Sequence, residues 1–247
     1  MAGRTYGIST RLFHDAELTR EHLVHIAAHD FDAVELYATP HHFDARDQSA
    51  VDQLAEWLSD TRLALHAVHA PADGTIEDIQ AVLMVARQVP FQFLVMHRPA
   101  SSTERILQAV TEAAAGVGVQ VALEVLHARG ANANALVTLL EEELDELDLG
   151  ICFDFGHAHL DGDLHEALEM VSGHLLTTHL HDNGGKTDDH LVPYAGEIHW
   201  DTAMMELQKV GYDGALIFEL QPGGDPVQVL TRAVRARERL EKAFVTF

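Results

Sequence analysis

The chain has 247 residues, 16 of them Lys or Arg against 39 Asp or Glu, a formal charge of −23 with histidine neutral. At 47% hydrophobic and 22% charged residues it has the composition of one folded domain, residues 1–247, well outside the low-hydrophobicity range of disordered chains. Its acidity argues against the Lys- and Arg-rich surface that displaces counterions from nucleic acid, so no nucleic-acid partner is expected.

A short apolar strand followed by a helix-period stretch recurs along the whole chain. Strand Tyr6 to Ser9 leads to helix Leu18 to Ala28, Ala33 to Leu36 leads to Ser49 to Asp60, and Ala64 to His69 leads to Ile76 to Gln88. Phe93 to His97 is followed by Thr103 to Gly116, Gln120 to Val125 by Ala133 to Leu144, and Gly150 to Asp154 by Leu164 to Val171. Leu176 to His181 precedes Thr202 to Val210, and Ala215 to Glu219 precedes Pro226 to Lys242. Thr103 and Asp225 suit N-caps, with Pro226 at a first helical position, while Gly116 and Gly211 suit the left-handed residue that ends a helix. The acidic run Glu141 to Glu143, with Asp145, Glu146 and Asp148, reads as a solvated helix end and loop.

Strands such as Gln120-Val-Ala-Leu-Glu-Val125 are apolar throughout most of their length, as parallel strands covered on both faces are. Eight such units at about 31 residues each fit a single-domain α/β fold, the (β/α)₈ or TIM barrel, which typically takes about 250 residues. An open doubly wound sheet is the alternative, but no Gly-x-Gly-x-x-Gly or Walker-type loop follows the first strand. The longer apolar runs, such as Ala81 to Ala86, fall well short of the roughly 18 residues of a membrane span. Met1 to Tyr6 runs straight into a strand without the apolar core of a secretory signal, so the expected compartment is the cytoplasm.

Polar residues fall in a pattern. Apolar runs end in a carboxylate or imidazole at Glu35, His69, His97, Glu124, Asp154, His179 with His181, and Glu219. In a (β/α)₈ barrel these strand ends converge on one mouth, where catalytic groups gather. Buried acids there call for a cation, and Cys152 is the only cysteine, so a metal must sit on histidine and carboxylate. Eighteen histidines make that ligand type abundant. Glu124, Asp154, His179 and Glu219 form a mixed O/N set suited to Mn²⁺, Mg²⁺, Co²⁺ or Zn²⁺. His179 and His181 share one side of their strand by the period of two, and His179 is the favoured ligand. His157, three residues after Asp154 and just past Gly156, is placed to ligate metal or bond substrate, the glycine allowing a sharp turn. The polar loop Asp182 to His190 has the composition of a mobile active-site segment.

These residues lie in Val34-Glu-Leu36, His66-Ala-Val-His-Ala-Pro71, Met96-His-Arg-Pro99, Ala122-Leu-Glu124, Phe153-Asp-Phe-Gly-His157, His179-Leu-His-Asp-Asn183, Asp188-Asp-His190 and Gly211-Tyr-Asp-Gly214 leading into Phe218-Glu219. The ordered set resembles the xylose isomerase-like TIM-barrel superfamily, which unites sugar and sugar-phosphate isomerases and epimerases with endonuclease-IV-type abasic-site nucleases. The resemblance implies that Glu124, Asp154, His179 and Glu219 hold a central divalent ion and that Glu124 and Glu219 also move protons. His69, His97, His157, Asp188 and His190 match positions that complete a three-metal cluster in the nuclease branch, so one ion is expected, with room for up to three. The family's Gly-Glu-Gly-x-Ile-Asp-Trp segment stands here as Ala195-Gly-Glu-Ile-His-Trp200, with His199 in place of the Asp.

The expected function is metal-dependent isomerisation or epimerisation of a small sugar, ketose or inosose-like polyol through an enediolate. His157, His181 or Glu35 would orient hydroxyls. The absence of an evident phosphate-gripping loop favours an unphosphorylated substrate. The alternatives are zinc-dependent cleavage of abasic DNA and a non-catalytic metal- or sugar-binding barrel. Lys186, Arg98 and Arg129 make a sparse basic rim for DNA, and Arg232, Arg235, Arg237 and Arg239 read as a solvated or packing face. A monomer or homodimer without a membrane partner is expected.

Overall fold

The structure, a computed structural model, describes residues 4–101 and 103–244. In chain order it comprises β1 Tyr6–Ser9, α1 Arg20–Ala28, β2 Ala33–Tyr37, α2 Gln48–Thr61, β3 Ala64–His69, α3 Ile76–Val85, β4 Phe93–Met96 and α4 Thr103–Ala115. There follow β5 Gln120–Glu124, α5 Ala133–Thr138, β6 Leu149–Asp154, α6 Phe155–Asp161, α7 Leu164–Val171, β7 Leu175–Leu180, α8 Trp200–Lys209, β8 Leu216–Phe218 and α9 Pro226–Phe244. Each strand pairs in parallel with the next, and β8 pairs with β1, so the sheet closes into the expected eight-stranded barrel. None of the described helices is long and apolar enough to cross a membrane.

The helices cover the barrel because their apolar residues recur on one face. In α4, Leu107, Val110, Thr111 and Ala114 are buried at positions i, i+3, i+4 and i+7. In α9, buried Val229, Leu230, Ala233, Ala236 and Leu240 fall at i, i+1, i+4, i+7 and i+11, again on one face. The main core lies in this layer between helices and sheet. Inside the barrel a second, small cluster of Ala67, Val95, Ala122 and Cys152 fills the lumen. Side chains alternate along a strand with period two, so the next inward residues toward the mouth are His69, His97, Glu124 and Asp154. The narrow interior therefore becomes polar two residues beyond its apolar plug.

Several local expectations give way to specific geometry. Gly116 does not carry the left-handed turn after α4. Gly118 does, at φ +75°, while Gly211 has the expected φ of +81°. Thr103 is the first residue of α4 rather than its cap, and its hydroxyl donates to the Pro99 carbonyl at 2.9 Å. Asp225 caps α9 as expected, its Oδ1 accepting from the Val227 N–H at 3.0 Å. The stretch from Ala133 leaves α-helical geometry at Leu139, where a π turn runs to Glu143 and presents the acidic run to solvent. The sharp turn after β6 comes at Asp154–Phe155, one residue before Gly156. Gly156 itself lies inside α6, which the sequence pattern did not reveal, and an added Cβ would stand 2.0 Å from the His181 ring.

Candidate metal centre

The strand ends meet at the C-terminal mouth. Ligand atoms of Glu124, Asp154, His179 and Glu219 all lie within 4.8 Å of one another, and all four residues are buried. The His179 Nδ1 is 2.8 Å from Glu124 Oε1, 3.7 Å from Asp154 Oδ2 and 3.8 Å from Glu219 Oε2. Its Nε2 is 2.9 Å from Glu35 Oε2 on the opposite side. Glu35 is fully buried one residue past a register irregularity between β2 and β3, and it touches the back of His179 rather than the open mouth.

Two flanking groups share the floor. His69 Nε2 and His97 Nε2 lie 3.0 and 3.1 Å from Glu124 Oε2, making Glu124 common to two groups. On the other side His157, His181, Asp188 and His190 gather, with His190 Nε2 3.0 Å from Asp188 Oδ2 and the His181 and His190 rings stacked at 3.9 Å. His181 Nε2 is 2.9 Å from Asp154 Oδ1, so Asp154 links this group to the central one. Asp154 Oδ1 also accepts from the His157 N–H at 2.7 Å, capping α6 and fixing His157 at the rim. All eleven residues singled out in the sequence thus fall in one connected cluster.

The electrostatics call for a cation. Burial alone would raise the Glu124 carboxyl, but His179 with its hydrogen bond, His69 and His97 hold it well below the usual range. Burial likewise opposes ionisation of Glu219, yet His179 and His190 bring it down to about 2. In turn His69, whose burial disfavours its charge, is raised to about 9 by Glu124, and His179 is raised well above its ordinary value by Cys152, Glu35 and the carboxylates around it. Protons on these imidazoles are the counter-charge to the buried acids, the place a divalent ion takes when ligands deprotonate to bind it. His157 Nδ1 and His181 Nδ1 are buried with no hydrogen-bond partner, again fitting ligands that await a cation. A mixed set of carboxylate oxygens and imidazole nitrogens suits Zn²⁺ or Mn²⁺.

Over this floor lies a cavity of about 320 Å³, bordered by Arg11, Tyr37, His97, His127, Asp188 and Glu219 among others. Arg11 is a site residue that the strand-end pattern missed. It sits in the short turn Thr10–Phe13 after β1, with Nε 3.9 Å from Glu219 Oε1 and Nη1 buried without a partner. His127 was missed as well. It follows β5, and its Nδ1 is 2.6 Å from Asp161 Oδ1 at the end of α6. Both lie just past a strand end, Arg11 two residues after β1 and His127 three after β5, a position that itself marks a barrel mouth.

The loop after β7 is held at its ends rather than loose throughout. Asp182 and Leu191 exchange backbone hydrogen bonds at 2.8 Å, and the Asp182 carboxylate accepts from Asn183, Ile198 and the Trp200 indole. Gly196 is required at this junction, since a Cβ would meet Asn183 O at 2.4 Å. His199 is exposed just before α8 and borders a separate surface recess with His159 and His165.

A closed parallel barrel whose mouth gathers carboxylates and imidazoles defines a class of (β/α)₈ proteins built for chemistry at that face. Within it, the chain belongs to the xylose isomerase-like TIM-barrel family, whose model matches residues 23–242. An uncharacterized protein of Methanocaldococcus jannaschii, MJ1311, is 26% identical over 96% of this chain and 94% of its own length. Among solved structures, a D-tagatose 3-epimerase-like protein superposes with a TM-score of 0.78 at 23% identity, covering 98% of this chain and 97% of that one. The IolI protein with a bound zinc atom superposes with a TM-score of 0.81 at 15% identity, covering 98% and 100%.

Proposed function

We propose that the protein is a divalent-metal-dependent isomerase or epimerase of a small sugar, ketose or inosose-like polyol. The observation that carries this reading is the convergence of Glu124, Asp154, His179 and Glu219 within 4.8 Å beneath an open cavity. These four residues would hold one ion, and the two flanking groups would raise the number to as many as three. When bound, the ion supplies Lewis-acid polarisation of a substrate carbonyl.

The protein's own groups do the rest. Glu124 projects from β5 and Glu219 from just beyond β8, so they enter the mouth from well-separated strands. One carboxylate takes the proton beside the carbonyl, giving an enediolate, and it or its partner returns a proton to one of the two carbons. Return to the same carbon from the opposite face inverts the centre, and return to the neighbouring carbon isomerises. His157, at the cavity wall, hydrogen-bonds substrate hydroxyls, and Arg11 offers its buried N–H groups to a substrate oxygen. Glu35, behind His179, orients that ring instead of touching substrate.

A second reading is favoured by one observation, the presence of two complete flanking donor groups beside the central one. It is zinc-dependent phosphodiester cleavage at abasic sites in DNA, and the net charge of −23 weighs against it. The test is metal analysis followed by a screen of ketoses, inososes and hydroxypyruvate in deuterated water with Mn²⁺, Co²⁺ or Zn²⁺. Deuterium entering the substrate carbon, lost in Glu124→Gln and Glu219→Gln, supports the isomerase. Chelator-sensitive cleavage of a synthetic abasic duplex by an otherwise inactive protein would replace it with the nuclease, and inactivity of metal-loaded protein in both assays with a binding barrel.

A further inference from the structure

Four of the 16 basic residues of this acidic chain stand within eight positions of α9, at Arg232, Arg235, Arg237 and Arg239. They divide by face. Arg237 is a packing residue, donating to the Asp30 carbonyl and lying over the Phe31 ring. Arg232, Arg235 and Arg239 fall at i, i+3 and i+7, hence on one side of the helix, and all three line a single cavity of about 320 Å³. The opposite wall is the segment after β7, including Leu191, Val192 and Tyr194. The face, solvated or packing by its sequence, thus divides: Arg237 packs, while the other three, still exposed, form one wall of a recess.

Among the described residues, Arg232 and Arg235 have no hydrogen-bond or ion-pair partner, although 39 acidic residues are available to the chain. The two acids that border these recesses are engaged elsewhere. Asp189, which also lines the cavity, accepts from the Thr187 hydroxyl at 2.7 Å and the Gly184 N–H at 3.3 Å. Asp225, bordering the adjoining recess that Arg232 and Arg235 share, caps α9 through Val227. The Arg239 guanidinium carbon lies over the Tyr194 ring, 3.5 Å from its centroid, which anchors the side chain, and Tyr194 is held in turn by its hydroxyl's bond to Asp201. Gathering like charges on one helix face is unfavourable, so an arrangement that neutralises none of them locally calls for an anion from outside.

Guanidinium forks match the oxygens of a phosphate in paired hydrogen bonds, and several converging forks suit a dianion better than a single carboxylate. The apolar wall at Leu191 to Pro193 suits the uncharged body of such a ligand. His190 borders both this cavity and the one above the metal-type cluster, so the recess adjoins the mouth. We propose that the cavity between α9 and the segment after β7 binds the phosphate group of a small molecule through Arg232 and Arg235, with Arg239 as the third cation. The phosphate site does not depend on the chemistry proposed for the mouth. The same phosphate can belong to a substrate reaching the cluster past His190 or to a separate effector.

Calorimetric titration of the full chain with inorganic phosphate, at ionic strength held constant with chloride, tests the site. Saturable binding is expected, weakened tenfold or more in the Arg232→Gln/Arg235→Gln variant and unchanged in Arg105→Gln, an exposed arginine on α4. Each single variant, checked for an unaltered thermal transition, shows an intermediate loss. No saturable binding by the wild-type chain, or equal binding by the double variant, overturns the proposal. A duplex oligonucleotide that binds through the same arginines far more tightly than phosphate overturns the small-molecule assignment. A hexose phosphate that outcompetes both phosphate and the free hexose supports a substrate phosphate, and one equal to phosphate supports an effector.

Discussion

Glu35 and His179 meet at 2.9 Å between two fully buried side chains, and this contact sets the direction of the cluster. His179 Nε2 donates to Glu35, and Nδ1 faces Glu124, Asp154 and Glu219, so loss of the Nδ1 proton would turn its lone pair toward a cation held by these carboxylates. A carboxylate behind a ligating imidazole both fixes the ring and raises its basicity. Glu35→Gln keeps an acceptor but loses the charge, so metal affinity should fall by about 10-fold, and Glu35→Leu, which removes the acceptor, by about 100-fold. Competition against a chelator of known affinity reads both values. Unchanged affinity in Glu35→Leu would show that Glu35 does not position the ligand.

The metal-free protein should lose stability in alkali. His69 is raised to about 9 in the folded state by the carboxylates around it, and His179 is also raised well above its ordinary value, by Cys152 and the carboxylates around it. A folded-state value above the unfolded one of about 6.5 means that the native state binds more protons. The resulting stabilisation is complete below about pH 6.5 and is lost as pH rises through 9. A divalent ion supplies the positive charge instead, so its addition should remove the loss above about pH 7. Thermal transitions measured from about pH 6 to 10, with chelator and with Zn²⁺, check this. Parallel profiles under the two conditions would contradict a cation site at these residues.

The barrel was legible because its signal repeats. A period of two places Glu35, His69, Glu124 and Asp154 on the inward face whatever the helices do. Depth along the barrel was not legible, since it depends on register between neighbouring strands. The irregularity at Val34/Glu35 seats Glu35 behind His179, although by pattern it resembles the other strand ends. Contacts between separate loops were also hidden. His127 and Asp161 are 34 positions apart, and the pairing of β5 with β6, the strands they follow, is what brings them to 2.6 Å. The same holds for the α9 arginines, whose recess exists only because the segment after β7 folds against them.

Proton transfer and metal binding should separate between the two glutamates. Glu124 belongs to two donor groups and contacts His69, His97 and His179, so Glu124→Gln should lower both metal content and turnover. Glu219 belongs only to the central group, so Glu219→Gln should retain more metal while losing about 10²- to 10⁴-fold in turnover, the usual worth of a general acid–base group. Metal analysis of dialysed variants alongside steady-state rates distinguishes them. Greater metal loss from Glu219→Gln than from Glu124→Gln would reverse this ordering.

Gly156 is a packing requirement of His181. An alanine there would favour α6 by its helix propensity, but its Cβ would overlap the imidazole at 2.0 Å and push it off Asp154. Gly156→Ala should therefore destabilise by about 1–3 kcal/mol, the usual range for overpacking a filled site. If the ring is the obstacle, Gly156→Ala should cost less in a His181→Ala background, where the space is vacated. Chemical denaturation of the four proteins in this cycle measures the coupling, and additive effects would place the conflict elsewhere.

His42 provides an acid-side counterpart outside the metal-type groups. It is fully buried, its Nδ1 lies 2.6 Å from the Ala16 carbonyl, and its Nε2 has no partner. Burial, helped by nearby His22 and His14, lowers its pKa to about 4 despite the raising effect of the Ala16 bond. The unfolded chain, with an ordinary value of about 6.5, binds the proton first, so this residue's contribution to stability is present above pH 6.5 and lost as pH falls toward 4. The loss is on the order of 3 kcal/mol at most, since each tenfold difference in proton affinity between the folded and unfolded chain corresponds to about 1.4 kcal/mol. His42→Asn can keep a donor to Ala16 without a titrating group. Its stability should decline less than that of the wild-type chain between about pH 6.5 and 4, as read by urea denaturation at fixed ionic strength. Identical slopes for the two proteins would show that His42 is accommodated in its charged form.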